Sequence, residues 1–158
     1  MLKLRKNKKG FTLVELIVVI AIMAVLAGVV AGVTVSQLNK QTDKTGQSQA
    51  NTIAQFLSQC ALTGEGDEKI TTDTEGTGGV ITTAFDQDAL TALLSKQYSS
   101  ASIKVDGTGG RGNVKVSIIT TEGDANKGKI EIYYQGKQSG TTGDVKYYVA
   151  VDGTITKA

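Results

Sequence analysis

Residues 16–35, LIVVIAIMAVLAGVVAGVTV, are twenty consecutive positions without a charge. At about 1.5 Å per residue such a run makes a helix of about 30 Å, the thickness of the hydrocarbon layer of a bilayer. It also takes up much of the apolar content of the chain. Hydrophobic residues make up 40% of 158 positions, but many lie between positions 11 and 35. The remainder, rich in Gly, Thr and Ser, is long enough for one domain with a thin, small core.

The charges are as unevenly placed. Five of the seventeen basic residues, Lys3, Arg5, Lys6, Lys8 and Lys9, fall in the first ten positions; without them 12 basic side chains face 15 acidic ones. The basicity therefore belongs to the N-terminus, and no specific nucleic-acid surface is expected on the rest. A basic cluster before an apolar run stays cytoplasmic by the positive-inside rule, which places the C-terminal part outside as a single-pass protein.

Three readings of the apolar run compete: a cleaved signal peptide, a plain membrane anchor, and a prepilin leader followed by a retained helix. A signal peptidase would find an acceptable site at Val25-Leu26-Ala27, before Gly28. Glu15 speaks against the first two readings, because a carboxylate at the start of an apolar core adds an insertion cost on the order of a kcal/mol or more, for which neither has a use. As a lone group it would have to snorkel to the interface.

The segment KKGFTLVELIVVIAIMAVLA resembles the prepilin signature of type IV pilins and type II secretion pseudopilins: a short basic leader ending in Gly10, the aromatic Phe11, then Thr12-Leu13-Val14, Glu15 and the long apolar run. The resemblance covers about the first quarter of the chain. It implies that residues 1–10 are a leader, removed by a prepilin peptidase between Gly10 and Phe11, and that Phe11 becomes an N-methylated N-terminus. The new amine, with an ordinary pKa near 7.7–8.0, would be largely cationic. In the family picture Glu15 of an incoming subunit meets that ammonium on a neighbour and sets axial register. Many pilins carry a proline about two-thirds through this helix. This chain has no proline; Gly28 and Gly32 are the nearest candidates for local flexibility, and as a GxxxG pair they equally suit close helix packing.

Beyond residue 35 a polar stretch to residue 49, with Gly46 as a weak point, precedes a helical stripe: Ile53, Phe56, Leu57, Cys60 and Ala61 at i, i+3, i+4, i+7 and i+8. The expected element is one long helix over residues 11–62, about 75 Å if fully helical, its first half (11–35) for membrane and polymer and its second (36–62) amphipathic. Residues 63–79 read as a Gly/Thr/acid surface loop. Asp86 then caps a short helix to about Tyr98, with Phe85 stapling to Leu90. The period next becomes two: Ile103/Val105, Val114/Val116/Ile118, Ile130/Ile132/Tyr134 and Val145/Tyr147/Val149/Val151 predict four strands of one antiparallel sheet. The expectation is an α+β, pilin-like fold, with residues 63–158 and 48–62 forming a head domain. The tyrosine pairs at 133–134 and 147–148 place one ring on each face of the sheet.

Few positions suggest chemistry. Histidine is absent and Cys60 is the one cysteine, so the commonest general base is missing and Cys60 reads as a small buried hydrophobe. Glu122, Asp124 and Asn126 offer oxygens at alternate positions, as hard cations prefer, without the remaining ligands of a calcium loop; a solvated turn is the simpler reading. No enzyme and no cofactor are expected. The resemblance implies a pilus subunit that forms a homopolymer through its N-terminal helices, with an assembly ATPase and a platform protein as partners, located first in the cytoplasmic membrane and then in a surface filament for adhesion, motility or DNA uptake. The alternatives are a pseudopilin of a type II secretion or competence apparatus, and an exported binding domain released by signal peptidase.

Overall fold

A computed structural model describes residues 10–75, 79, 81–99, 103–106, 108–137 and 143–158. Most of the leader thus lies outside the described residues. The chain divides into two units, Met1–Leu38 and Asn39–Ala158, and helix α1 (Leu13–Thr63) contributes to both.

In the first unit every described residue is exposed. The helix is long and apolar enough to cross a membrane by length and composition, with a best-window mean hydropathy of 3.0. It runs without interruption through Gly28, Gly32 and Gly46. Around Gly28 and Gly32 nothing approaches within 4 Å of a would-be Cβ.

In the second unit α1 buries Asp43, Gly46, Ala50, Ile53, Ala54, Leu57 and Cys60. These positions keep the three-and-four spacing of one helix face. The stripe begins ten residues earlier than the apolar pattern predicts, and Phe56 and Ala61 lie at its half-buried flank. A short 3₁₀ turn, Gly66–Glu68, follows. The expected loop over residues 63–79 is partly a strand: β1 (Thr71–Glu75) pairs antiparallel with β2 (Ile81–Phe85), from Thr71↔Phe85 to Glu75↔Ile81. Apart from Phe85 this ribbon buries no residue, so the alternation that reveals a half-buried strand is missing, and only the threonines favour extended backbone.

Helix α2 (Gln87–Gln97) starts where the sequence predicts. Asp86 Oδ1 accepts from the amides of Asp88 (2.8 Å) and Ala89 (3.0 Å), two donors a helix start otherwise leaves unsatisfied. Phe85 and Leu90, the expected staple pair, are both in the core, with Leu93 and Leu94.

The remaining strands form one sheet in the order β3 (Ile103–Lys104), β4 (Val114–Ile118), β5 (Ile130–Tyr134), β6 (Val145–Val149), β7 (Ile155–Lys157). It has five strands rather than four and is not wholly antiparallel, because the two-residue β3 runs parallel to β4 (Ile103↔Val114, Lys104↔Lys115). Val105 and Val151 fall in turns instead of strands. Around Val151 the chain reverses, the Gly153 amide donating to the Ala150 carbonyl, and re-enters as β7. All three β7 residues are exposed, which left no apolar alternation to read. Val114, Val116, Ile130, Ile132, Tyr134, Val145 and Val149 point inward into one core with Ile53, Leu57, Leu90 and Leu94. Each fully buried aliphatic side chain there stabilises the fold by roughly 1.5–3 kcal/mol.

Candidate functional site: the start of the apolar helix

Gly10, Phe11 and Thr12 precede α1 and are not helical. Phe11 is 90% exposed. Thr12 is the N-cap and Glu15 stands at the third helical position, and the two side chains bond reciprocally. Thr12 Oγ1 accepts from the Glu15 amide (3.2 Å), while Glu15 Oε2 accepts from the Thr12 amide (2.8 Å) and from Thr12 Oγ1 (2.9 Å). This is a capping box, which satisfies two orphan donors at once. The first ladder bond, from the Leu16 amide to the Thr12 carbonyl, follows at 3.2 Å. Glu15 therefore has a partner within its own chain. The Thr-x-x-Glu spacing ahead of an apolar run is a readable signal of this, which the charge of the carboxylate alone does not give.

The other oxygen-bearing positions lie elsewhere, in the β4–β5 connection. Glu122 takes the Lys127 ammonium, Asp124 Oδ1 accepts from the Asn126 amide at 2.8 Å, and Asn126 Oδ1 takes Lys129 Nζ at 3.0 Å. Each of these oxygens already has a donor from the same loop. Among the described residues no group of three or more His, Cys, Asp or Glu side chains is placed to hold a metal ion. Cys60 is 4% exposed; burial, with the nearby Glu68 carboxylate, pushes its thiol up from the ordinary value. Such a thiol is a poor nucleophile.

One polar constellation escaped the sequence. Asp43, 5% exposed, is the charged side chain of the core among the described residues. Its Oδ1 accepts from the Tyr134 hydroxyl (3.0 Å) and the Lys137 amide (2.7 Å), and Gln47 Nε2, one turn on, donates to the Gly143 carbonyl (2.9 Å). Asp144 completes the clasp, accepting from the Tyr133 hydroxyl (2.7 Å) and the Gly136 amide (2.8 Å). Both ends of the β5–β6 connection are thereby tied to α1.

The exposed apolar helix, long enough to cross a membrane by length and composition, follows a basic N-terminal cluster. Over residues 5–31 the sequence matches the family described as the prokaryotic N-terminal methylation motif. Together with the long apolar helix this fits the class III signal of type IV pilins and pseudopilins. Such a signal implies processing by a prepilin peptidase, anchoring in a membrane and assembly into a polymer, and the families that carry it are families of structural subunits. No match was found among curated proteins or among solved structures.

Proposed function

We propose that this chain is the structural subunit of a type IV pilus and not an enzyme. A prepilin peptidase cuts between Gly10 and Phe11, Phe11 is N-methylated, residues 11–35 hold the subunit in the membrane, and an assembly ATPase with a platform protein polymerises it into a surface filament. Residues 36–62 continue the helix, and residues 63–158 with 48–62 form the head. The observation that supports this reading best is the joining of the methylation motif to a helix whose apolar side chains, from Leu13 to Leu38, are exposed. Apolar surface on that scale needs lipid or neighbouring copies to cover it.

In this reading Glu15 has two tasks. Both Thr12 donors use Oε2, so we assign Oε1 to the methylated ammonium of a neighbouring Phe11, an attraction strengthened where water is excluded. Gly28 and Gly32 serve either local loosening or close approach of helices during assembly.

The test combines the mass of the mature N-terminus with immunogold microscopy of cells and sheared filaments, using a deletion strain as control. An N-methylated Phe11 and label along whole filaments are expected. Label confined to the membrane, without surface filaments, would assign the chain to a secretion or competence pseudopilus. A mature chain beginning at Gly28 would make it a domain released by signal peptidase.

A further inference from the structure

Charge is segregated within the second unit. Between Glu65 and Asp88 there are seven carboxylates and a single lysine, Lys69, whereas from Ile103 to Lys157 eight basic residues face six acidic ones. The acidic part includes the β1–β2 ribbon. Asp73 and Glu75 lie two residues apart and so on one face of β1, and the cross-strand register adds Thr83 and Ile81 to that face. Asp73 Oδ1 accepts from the Thr83 hydroxyl (2.6 Å) and its Oδ2 lies 3.9 Å from Lys69 Nζ, an exposed pair that offsets part of the acidic charge. Ile81 is 69% exposed, although it is a large apolar side chain set directly opposite Glu75. A two-stranded ribbon covered only at its Phe85 end is marginal on its own.

The outer face of the five-stranded sheet has the complementary character. The registers Lys104↔Lys115, Lys115↔Tyr133 and Tyr133↔Lys146 align three lysines and one ring in a row across four strands. The Lys115 and Lys146 ammonium groups converge on Tyr133, at 5.4 and 4.8 Å from its ring centre. Glu131 pairs with Lys146 at 3.1 Å and offsets part of this charge, but the row remains cationic, with a half-exposed aromatic ring between its ammonium groups. Lysines across three strands sit about 10 Å apart at the backbone, and two carboxylates on alternate residues of a strand about 7 Å apart. Lysine side chains are long enough to close that difference.

We propose that the acidic ribbon of one copy of this chain docks on the lysine–tyrosine row of another, Asp73 and Glu75 meeting Lys115 and Lys146 while Ile81 covers the Tyr133 ring. This rests on the polymer reading above and names a head-to-head contact within that polymer. Charge complementarity fixes which surface meets which, and the apolar contact gives the ribbon the cover it lacks.

The test uses the full chain expressed in cells that assemble it. Lys115→Glu with Lys146→Glu, and separately Asp73→Lys with Glu75→Lys, are each expected to lower sheared-filament yield at least tenfold, and the fourfold exchange to restore most of it. A second measurement changes no charge: with Thr83→Cys and Ser117→Cys, mild oxidation of intact filaments should give a ladder of covalent multimers, since the native Cys60 is buried. Unchanged yield in both charge reversals overturns the proposal, as does failure of the fourfold exchange while mature subunit accumulates normally, or filaments that give no ladder. Filaments unaffected by reversal, with loss of binding to duplex DNA, would show the row to be a polyanion site and overturn the proposal equally. A wild-type strain without filaments overturns the pilus reading itself.

Discussion

The phenol ring of Tyr134 rests against the backbone of Gly46: a Cβ built on that glycine would lie 2.0 Å from Cε2 and 2.2 Å from Cζ of the ring. Helix α1 contributes no side chain to this contact with the strand β5 tyrosine, and the close approach brings the Tyr134 hydroxyl to Asp43. Alanine ordinarily favours a helix over glycine by about 1 kcal/mol. At position 46 the sign reverses. Gly46→Ala is expected to destabilise the protein by on the order of 2 kcal/mol through overpacking, read as a lower melting temperature by circular dichroism of the full chain in detergent. Equal or higher stability would mean that the ring swings aside at little cost.

Alkaline pH should loosen the same joint. Burial, and then the bond to Asp43, push the Tyr134 phenol well above its ordinary value; the bond to Asp144 and burial raise Tyr133, and burial raises Tyr98. Folding therefore holds these protons more tightly than the unfolded chain does. Their contribution is complete below the unfolded tyrosine value of about 10 and declines as pH rises beyond it. Urea melts between pH 7 and 11 should show stability falling above about pH 10. Tyr134→Phe, which leaves the ring in place, should flatten that fall while lowering stability at pH 7 by about 1–2 kcal/mol through the lost hydroxyl.

Two roles of Glu15 separate by substitution. Glu15→Gln keeps an acceptor for the Thr12 donors and removes the charge; Thr12→Ala removes the cap and keeps the charge. If the charge serves assembly, Glu15→Gln should reduce filament yield as severely as Glu15→Val, and Thr12→Ala should assemble at a loss of about 1 kcal/mol in the first turn of the helix. The reverse ranking of filament yields would assign Glu15 to capping alone.

Cys60 should be silent in the folded protein. Thiol reagents at pH 8 are expected to label the native full-length chain at least a hundredfold more slowly than the urea-unfolded chain, because the sulfur is enclosed and its thiolate disfavoured. Fast native labelling would mean that the end of α1 frays.

The legible parts of the sequence were those where one period or one local bond decides. Asp86 announced α2 because an N-cap acts within three residues, and Val114, Ile130 and Val149 announced their strands because one face is dry and the other half-exposed. The β1–β2 ribbon was illegible for the opposite reason, both its faces being wet. Asp43 was illegible because its partner lies 91 positions away; without Tyr134 and Lys137, an aspartate in a polar helical stretch reads as solvated. At the N-terminus the apolar run and Glu15 drew attention to lipid and charge, while the bond that Glu15 makes to Thr12 was equally written in the spacing.

That capping box also fixes where the helix does not begin. With Thr12 as its cap, Gly10 and Phe11 stand outside the ladder of backbone bonds. A protease working at the Gly10–Phe11 bond would find it outside the helix and melt nothing to reach it, whereas a helix begun one turn earlier would hide the same bond behind its own carbonyls. A cap moved one turn upstream would therefore be felt first in the rate of maturation, before any filament is built.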